Sequence, residues 1–161
     1  MANEITVTIT ESHTSLDTGT ISSTVTKEIS DIVDMYKRVV TVPSGVDTTI
    51  AIFDDGIDDV TTTPFDLQSV KYIRVTNIHG SNPVNLQLII DNAANGTADA
   101  TCSIKLAAGE SWMNFNPDGG ILVDDDAATY AAPTGDLLGL MVDSLSAASL
   151  VEIVVASVTA S

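Results

Sequence analysis

Residues 70–91 read VKYIRVTNIHGSNPVNLQLIID, two apolar segments separated by a cluster of turn-forming residues. The flanking segments 70–78 and 84–91 have the length of strands and are rich in Val, Ile and Leu. Between them, Gly80, Asn82 and Pro83 interrupt any regular element. The stretch therefore predicts two β-strands joined by a turn.

The same kind of pattern extends outward in both directions along the chain. In ITVTIT (residues 5–10) apolar residues alternate with threonines, which is the period-2 pattern of a half-buried strand. The segment LVEIVVASV (150–158) is apolar on both faces in its middle, which is typical of a central, covered strand. Further strands are predicted at residues 20–29, 38–43, 48–53 and 101–107. The short segments 110–115 and 121–123 follow turns, and Leu138, Leu140 and Val142 alternate as in a strand within the ambiguous stretch 124–146.

This spacing of short strands, with turn residues between them and no long helical pattern, is typical of antiparallel sandwiches and barrels. We predict an all-β protein, an antiparallel β-sandwich of jelly-roll type with about 8–10 short strands. With 161 residues, the chain has the length of one domain. We expect residues 21–161 to form the sandwich and residues 1–20 to form an N-terminal arm or edge strand. Such an arm either adds a strand to a neighbouring molecule or pairs within its own sheet.

Two stretches leave a helix open, so the prediction allows at most one short helix. In residues 28–38, four apolar side chains have helical spacing, acids come early and Lys37-Arg38 come late, as the helix dipole favours. In residues 124–146 the alanines permit a helical turn, but Pro133 and Gly135 interrupt it.

The charge balance argues against several classes of partner. The chain has 22 acidic and 6 basic residues, a formal net charge of −16, and all six bases precede residue 106. Nucleic acids and anionic membranes are bound through Lys and Arg, so neither is expected as a partner. The sequence MANEITVTI lacks the features of a secretory signal, which predicts synthesis in the cytoplasm. The single cysteine, Cys102, alternates with Ile104 and Leu106 and is predicted to be a buried, inert thiol.

No arrangement of residues indicates catalysis. His13 and His79 are far apart in sequence and from Cys102, so the spacing of a zinc site is missing. None of the common nucleophile or phosphate-binding motifs is present. The few aromatic residues are a poor lining for a carbohydrate-cleaving site. We therefore expect a protein that is not an enzyme and has no cofactor.

The acidic stretch IAIFDDGIDDV (50–60) is the strongest candidate for a metal site. Carboxylates on a turning backbone are suitable calcium ligands, and the candidates are Asp54, Asp55, Asp58 and Asp59. However, Asp55-Gly56 is also a strong hairpin signal, and the spacing of an EF-hand is absent. A turn without a metal ion is the favoured interpretation. Asp124, Asp125 and Asp126 form a second acidic run.

Three stretches together resemble the small all-β accessory proteins of tailed-bacteriophage particles. They are YIRVTNIHGSNPVNLQLII (72–90), LAAGESWMNF (106–115) and LVEIVVASV (150–158), within about the last 90 residues. The resemblance implies a capsid decoration (cement) protein that binds the major capsid protein or another virion protein and stabilises the particle. It also implies a homo-oligomer, most often a trimer, and location in the virion. Phage tail, fibre and neck components have the same character.

A calcium-dependent surface module or a carbohydrate-binding β-sandwich is the alternative from another functional class. It would use the acidic turn as its ion site and would be stabilised by calcium.

Overall fold

The computed structural model describes residues 3–15, 19–54, 65–66, 69–91, 98, 100–116 and 136–159. These residues contain eleven strands and no helix, which confirms the all-β prediction. The strands are β1 (Ile5–Ser15), β2 (Gly19–Ile29), β3 (Asp34–Val42), β4 (Thr48–Asp54), β5 (Phe65–Asp66), β6 (Val70–Asn77), β7 (Val84–Asp91), β8 (Ala100–Leu106), β9 (Ser111–Phe115), β10 (Asp136–Asp143) and β11 (Ser149–Ser157). Strand β5 has only two residues and leaves no pattern in the sequence, whereas the predicted strand segment 121–123 and the possible helical turn before Pro133 lie outside the described residues. Within these residues there is also no helix of the length and hydropathy needed to span a membrane.

Nine of the strands form the two sheets of a β-sandwich. The five-stranded sheet has the order β5-β4-β10-β7-β8, and the four-stranded sheet has the order β3-β11-β6-β9. All pairings are antiparallel except the short parallel contact between β4 and β5. Strands β1 and β2 form a separate two-stranded sheet.

The core between the two sheets follows from the alternation of each strand. In β7, the side chains at positions 84, 86, 88 and 90 are buried in this core, while those between them are less buried. In β11, Val151, Ile153 and Val155 point into the same core. Strand β11 pairs with β3 on one side and β6 on the other, which confirms the predicted central position of this segment.

The helical alternative for residues 28–38 is wrong. Strand β2 continues to Ile29, an irregular link follows, and β3 begins at Asp34. Asp31 in the link has a φ of 60°, a left-handed conformation that a continuous helix does not allow. Strand β3 pairs with β11 along its whole length, and this long-range pairing prevails over the helical spacing of the apolar residues.

Two of the stretches that carry the phage resemblance meet at one end of the sandwich. Asn77, the last residue of β6, is fully buried, and its Nδ2 donates to the carbonyls of Asn82 (2.8 Å) and Leu106 (3.1 Å). Its main chain bonds to both Gly109 and Glu110. Gly109 has a φ of 80°, and the Glu110 carboxylate accepts a hydrogen bond from the amide of residue 107. These stretches therefore have a structural role, because they hold two turns together.

Candidate docking surface

The structure places only part of the predicted calcium site. Asp54 is the last residue of β4, whereas Asp55, Asp58 and Asp59 lie outside the described residues. The second acidic run, residues 124–126, also lies outside them. The choice between a turn and a calcium site therefore stays a prediction.

The histidines and the cysteine are separate from one another. His79 has a structural role, because its Nδ1 accepts hydrogen bonds from the amides of Ser81 (3.2 Å) and Asn82 (3.0 Å). His13 is exposed in β1. Cys102 is exposed on β8, an edge strand, so the prediction of a buried thiol is wrong: alternation gives the side of a strand but not how far the opposite sheet covers it. Within the described part of the chain, no three His, Cys, Asp or Glu residues come together as metal ligands.

The most unusual surface is the β1–β2 hairpin. Its two strands pair in register from Ile5 with Ile29 to Ser15 with Gly19. Each strand has eleven residues and therefore extends about 35 Å. The predicted division between residues 20 and 21 lies within β2. Most side chains of both strands are exposed, so the hairpin projects from the sandwich and lacks a covering layer on most of its length.

One face of the hairpin, which we call the Thr/Ser face, is polar and nearly uncharged. It comprises Thr6, Thr8, Thr10, Ser12, Thr14, Thr20, Ser22, Thr24, Thr26 and Glu28. Hydroxyl groups form hydrogen bonds across the strands: Thr8 with Thr26 (3.4 Å), Thr10 with Thr24 (3.4 Å) and Thr14 with Thr20 (3.2 Å). A face of this kind is compatible with water on its own.

The opposite face of the hairpin, which we call the apolar face, differs along its length. Near the sandwich, its apolar side chains are Ile5, Val7 and Ile29, of which the last two are buried. The charged Lys27 lies opposite Val7. Further out, Ile9, Val25 and Ile21 are between 42% and 62% exposed. One apolar stripe thus continues from a buried base to an exposed tip.

A second apolar cluster attaches the hairpin base to the sandwich. Val7, Ile29 and the following Ile32 pack against Tyr72, Val154 and Ala156, with Ile5, Phe115 and Val158 at the margin. One main-chain hydrogen bond crosses this joint, from the Val33 amide to the Ser157 carbonyl (2.9 Å). A second, from the Ile32 amide to the Asn3 carbonyl (3.0 Å), closes the base of the hairpin beside it. Val154 and Ala156 alternate with core residues of β11, so the joint lies on the outside of the four-stranded sheet.

The rest of this outer surface is not covered by the hairpin. We call it the outer face of the four-stranded sheet: the outward side chains of β3, β11, β6 and β9 beyond the joint. At its centre, Glu152 accepts hydrogen bonds from Lys37 (2.9 Å) and Arg74 (2.6 Å), which extend from the strands on either side. The hydrogen bond from Lys37, supported by that from Arg74, lowers the pKa of Glu152 below its ordinary value, although partial burial opposes the shift.

Exposed apolar side chains surround this charged group. Met35, Val39, Met113 and Leu150 are between 40% and 58% exposed. The cross-strand pairs place them on the same side of the sheet as the charges, since Val39 lies opposite Glu152 and Met113 lies opposite Arg74. The outer face of the five-stranded sheet carries Asn85, Gln87, Ser103 and Lys105 together with the exposed Ile52.

Comparison with protein-family models and with curated proteins finds no match for this sequence. Among solved structures, a chain described under "Bacillus endospore appendages form a novel family of disulfide-linked pili" is similar, with a TM-score of 0.38 and 14% sequence identity. The similarity covers 80% of this chain and 89% of that chain. At this TM-score it supports no conclusion about the present protein.

Sequence reasoning missed the outer face of the four-stranded sheet, because its residues come from four separated segments. Lys37, Arg74 and Glu152 become neighbours only through the order β3-β11-β6. The hairpin left a clearer signal. Alternating Thr and apolar residues in 5–10 and 20–29, with Gly19 between them, fit a two-stranded element.

Proposed function

We propose that this chain is a structural protein of an assembled particle, of the kind that decorates the capsid of a tailed bacteriophage. Its partners would be the major capsid protein or another virion protein, together with further copies of itself, with a trimer favoured. The role is non-catalytic, and the chain would reside in the virion after synthesis in the host cytoplasm.

The projecting hairpin is the observation that supports this proposal. A two-stranded hairpin is marginally stable in water by itself and normally needs a further layer or strand. Here the apolar face of the outer hairpin is exposed, and among the described strands no third strand pairs with β1 or β2. Exposed edges and apolar faces are avoided in monomers because they promote association. Both features suit an element that is covered when the particle assembles.

We also propose that the sandwich is a jelly roll, and the strand order supports this. Among its eight longer strands, the first pairs with the last (β3 with β11) and the second with the seventh (β4 with β10). The third pairs with the sixth (β6 with β9) and the fourth with the fifth (β7 with β8). Such nested pairing is that of one long hairpin rolled into two sheets, as in the double Greek key of a jelly roll.

The test is co-sedimentation of the purified chain with heads and with tails of the tailed phage that carries its gene, after removal of the endogenous protein. We expect saturable binding to heads and a homo-oligomer in sedimentation velocity. A variant with Ile21→Asp and Val25→Asp, which places charges on the exposed apolar face, should lose head binding. The matched control is Ser22→Asp with Thr24→Asp, on the Thr/Ser face, and it should keep most of the binding.

Binding to tails and not to heads would identify a tail or fibre component instead. A chain that is monomeric at micromolar concentration and sediments with neither structure would contradict the structural role. Stabilisation by calcium in a melting experiment would favour the alternative, a calcium-dependent binding module.

A further inference from the structure

We propose that the outer face of the four-stranded sheet is a docking surface for a second copy of this chain, whose hairpin lies on it with its apolar face inward. The inference rests on the proposed structural function, because it names the partner that covers the hairpin. It assigns a role to two surfaces whose apolar side chains are exposed: the outer part of the hairpin and the outer face of the four-stranded sheet.

The joint within one chain already shows the required contact. At the hairpin base, Val7 and Ile29 of the apolar face pack on Val154 and Ala156 of the sheet. The uncovered parts of both surfaces continue directly from this joint. On the sheet, Ala156 lies opposite Met35 on β3. Val39 on β3 and Met113 on β9 lie further along the same outer face of the sheet. The hairpin of a second copy, placed on these side chains, would extend the apolar contact that already exists at the joint.

The dimensions of the two surfaces agree. Four strands at a spacing of about 4.8 Å give a sheet nearly 20 Å wide, and the two-stranded hairpin is about 10 Å wide. Its exposed part, about eight residues on each strand, extends more than 25 Å, enough to cross the sheet.

Charge identifies a copy of this chain as a suitable occupant. The chain has a net charge of −16, so copies repel each other over most of their surfaces. The outer face of the four-stranded sheet is an exception, since Lys37 and Arg74 against Glu152 give a net charge of +1. The exposed part of the apolar face has one acid, Glu11, whereas the base Lys27 lies at the hairpin base opposite the buried Val7. These two surfaces approach each other with little repulsion, and each carries a charge of the sign that the other can pair with.

Oxidative cross-linking between two single-cysteine variants tests the proposal, in a Cys102→Ser background because Cys102 is exposed. One partner carries Val25→Cys on the apolar face of the hairpin, and the other carries Val39→Cys on the sheet. Tags of different size distinguish mixed from identical dimers. We expect a mixed disulfide as the main product of a one-to-one mixture.

Two matched controls separate this contact from random collision. Thr24→Cys replaces Val25→Cys and lies on the Thr/Ser face of the same strand. Ile52→Cys replaces Val39→Cys and lies on the outer face of the five-stranded sheet, with an exposure of 48% against 50% for Val39. Each control should reduce the yield of the mixed product about tenfold, since one cysteine then lies outside the contact and cannot reach the other.

A solution measurement gives a second, independent result. Val39→Asp should weaken self-association in sedimentation equilibrium about tenfold or more, because it places an acid within an apolar contact. Its melting temperature as a monomer should fall by no more than about 3 °C, because Val39 is exposed and the new acid only faces Glu152 across the strands.

The outcomes distinguish the two proposals. If Val25→Cys cross-links only to itself, the hairpins pair with each other, and the docking surface is refuted while assembly through the hairpin stands. If Val39→Asp associates as the parent does, or if the controls cross-link equally well, the docking surface is also refuted. If the chain forms no cross-link and is monomeric up to about 100 µM, the docking surface is refuted, and head co-sedimentation then decides the structural function separately.

Discussion

The β1–β2 hairpin and the β7–β8 pair of the sandwich are built from the same alternating pattern, yet they have opposite environments. In β7 the apolar side is buried by the opposite sheet, with Val84 and Leu86 fully covered. In the hairpin the apolar side is buried at Val7 and exposed at Val25 and Ile21. Alternation therefore shows that a strand has an apolar side, but not that the same chain covers it.

The largest expected effect is in the sandwich core. Phe53 is buried and its ring lies 5.8 Å from that of Phe65, so Phe53→Ala leaves a cavity between the sheets. We expect the free energy of unfolding to fall by about 3–5 kcal/mol. Urea denaturation followed by tryptophan fluorescence measures the change, because Trp112 packs against this core.

The matched hairpin variant is Ile21→Ala, at an exposed apolar position. In the monomeric chain it should change the free energy of unfolding by less than about 0.5 kcal/mol. A comparable loss for both variants would show that the outer hairpin is packed on the sandwich, which would remove the contrast between the two regions.

The next effect concerns the joint between the two regions. Ile29 is buried in the cluster at the hairpin base, so Ile29→Ala should weaken that joint by about 2 kcal/mol or more. Because the sandwich core is intact, we expect local opening and not global unfolding.

Hydrogen exchange measures this opening directly. The amide of Val33, which bonds across the joint to Ser157, should exchange faster, as should that of Ile32, which bonds to Asn3 at the hairpin base, while the amide of Ile153 in β11 keeps its protection. Val25→Ala is the control and should leave all three unchanged. Equal loss of protection at Ile153 would mean that hairpin and sandwich unfold as one unit.

The sequence predicted the strands well, because each strand keeps an apolar side and ends at turn residues such as Gly45 and Gly109, both of positive φ. What it could not predict depends on pairing between distant segments. Residues 28–38 have helical spacing, but their pairing with β11 makes a strand of 34–42. The exposure of Cys102 likewise depends on how far the opposite sheet extends.

The candidate surface was less predictable than the fold. Three of the four aspartates in the acidic stretch 50–60 lie outside the described residues, beyond Asp54. The docking surface instead combines Val39, Met113 and Leu150, which are unremarkable residues in their own segments. Only the order of the strands shows that they surround the same ion pairs.

A smaller effect is expected at the centre of that outer face. Glu152→Gln removes the carboxylate that pairs with Lys37 and Arg74, and should cost about 1 kcal/mol or less at pH 7. Because the pKa of Glu152 is lowered in the folded state, the carboxylate contributes fully at pH values above the ordinary glutamate pKa. The contribution is lost as the pH falls through the lowered folded-state pKa.

Urea denaturation at a series of pH values from 7 downward therefore should show parent and Glu152→Gln converging in acid. Glu28→Gln, on the Thr/Ser face of the hairpin, is the control and should differ little from the parent throughout. A difference between parent and Glu152→Gln that is the same at every pH would mean that packing and not charge accounts for it.

The smallest expected effect lies on the Thr/Ser face, where Thr10 and Thr24 face each other with their hydroxyl oxygens 3.4 Å apart. A double-mutant cycle with Thr10→Ala and Thr24→Ala should give a coupling of about 0.2–1 kcal/mol, as for cross-strand pairs in general. Global unfolding will underestimate it, because the outer hairpin can open while the sandwich is folded. Exchange of the Ile9 and Val25 amides is the suitable measurement, since these residues pair beside the mutated threonines. If the coupling appears fully in urea denaturation, the hairpin is stabilised together with the sandwich. If it appears only in exchange, the hairpin is an independent element that needs a partner to become rigid.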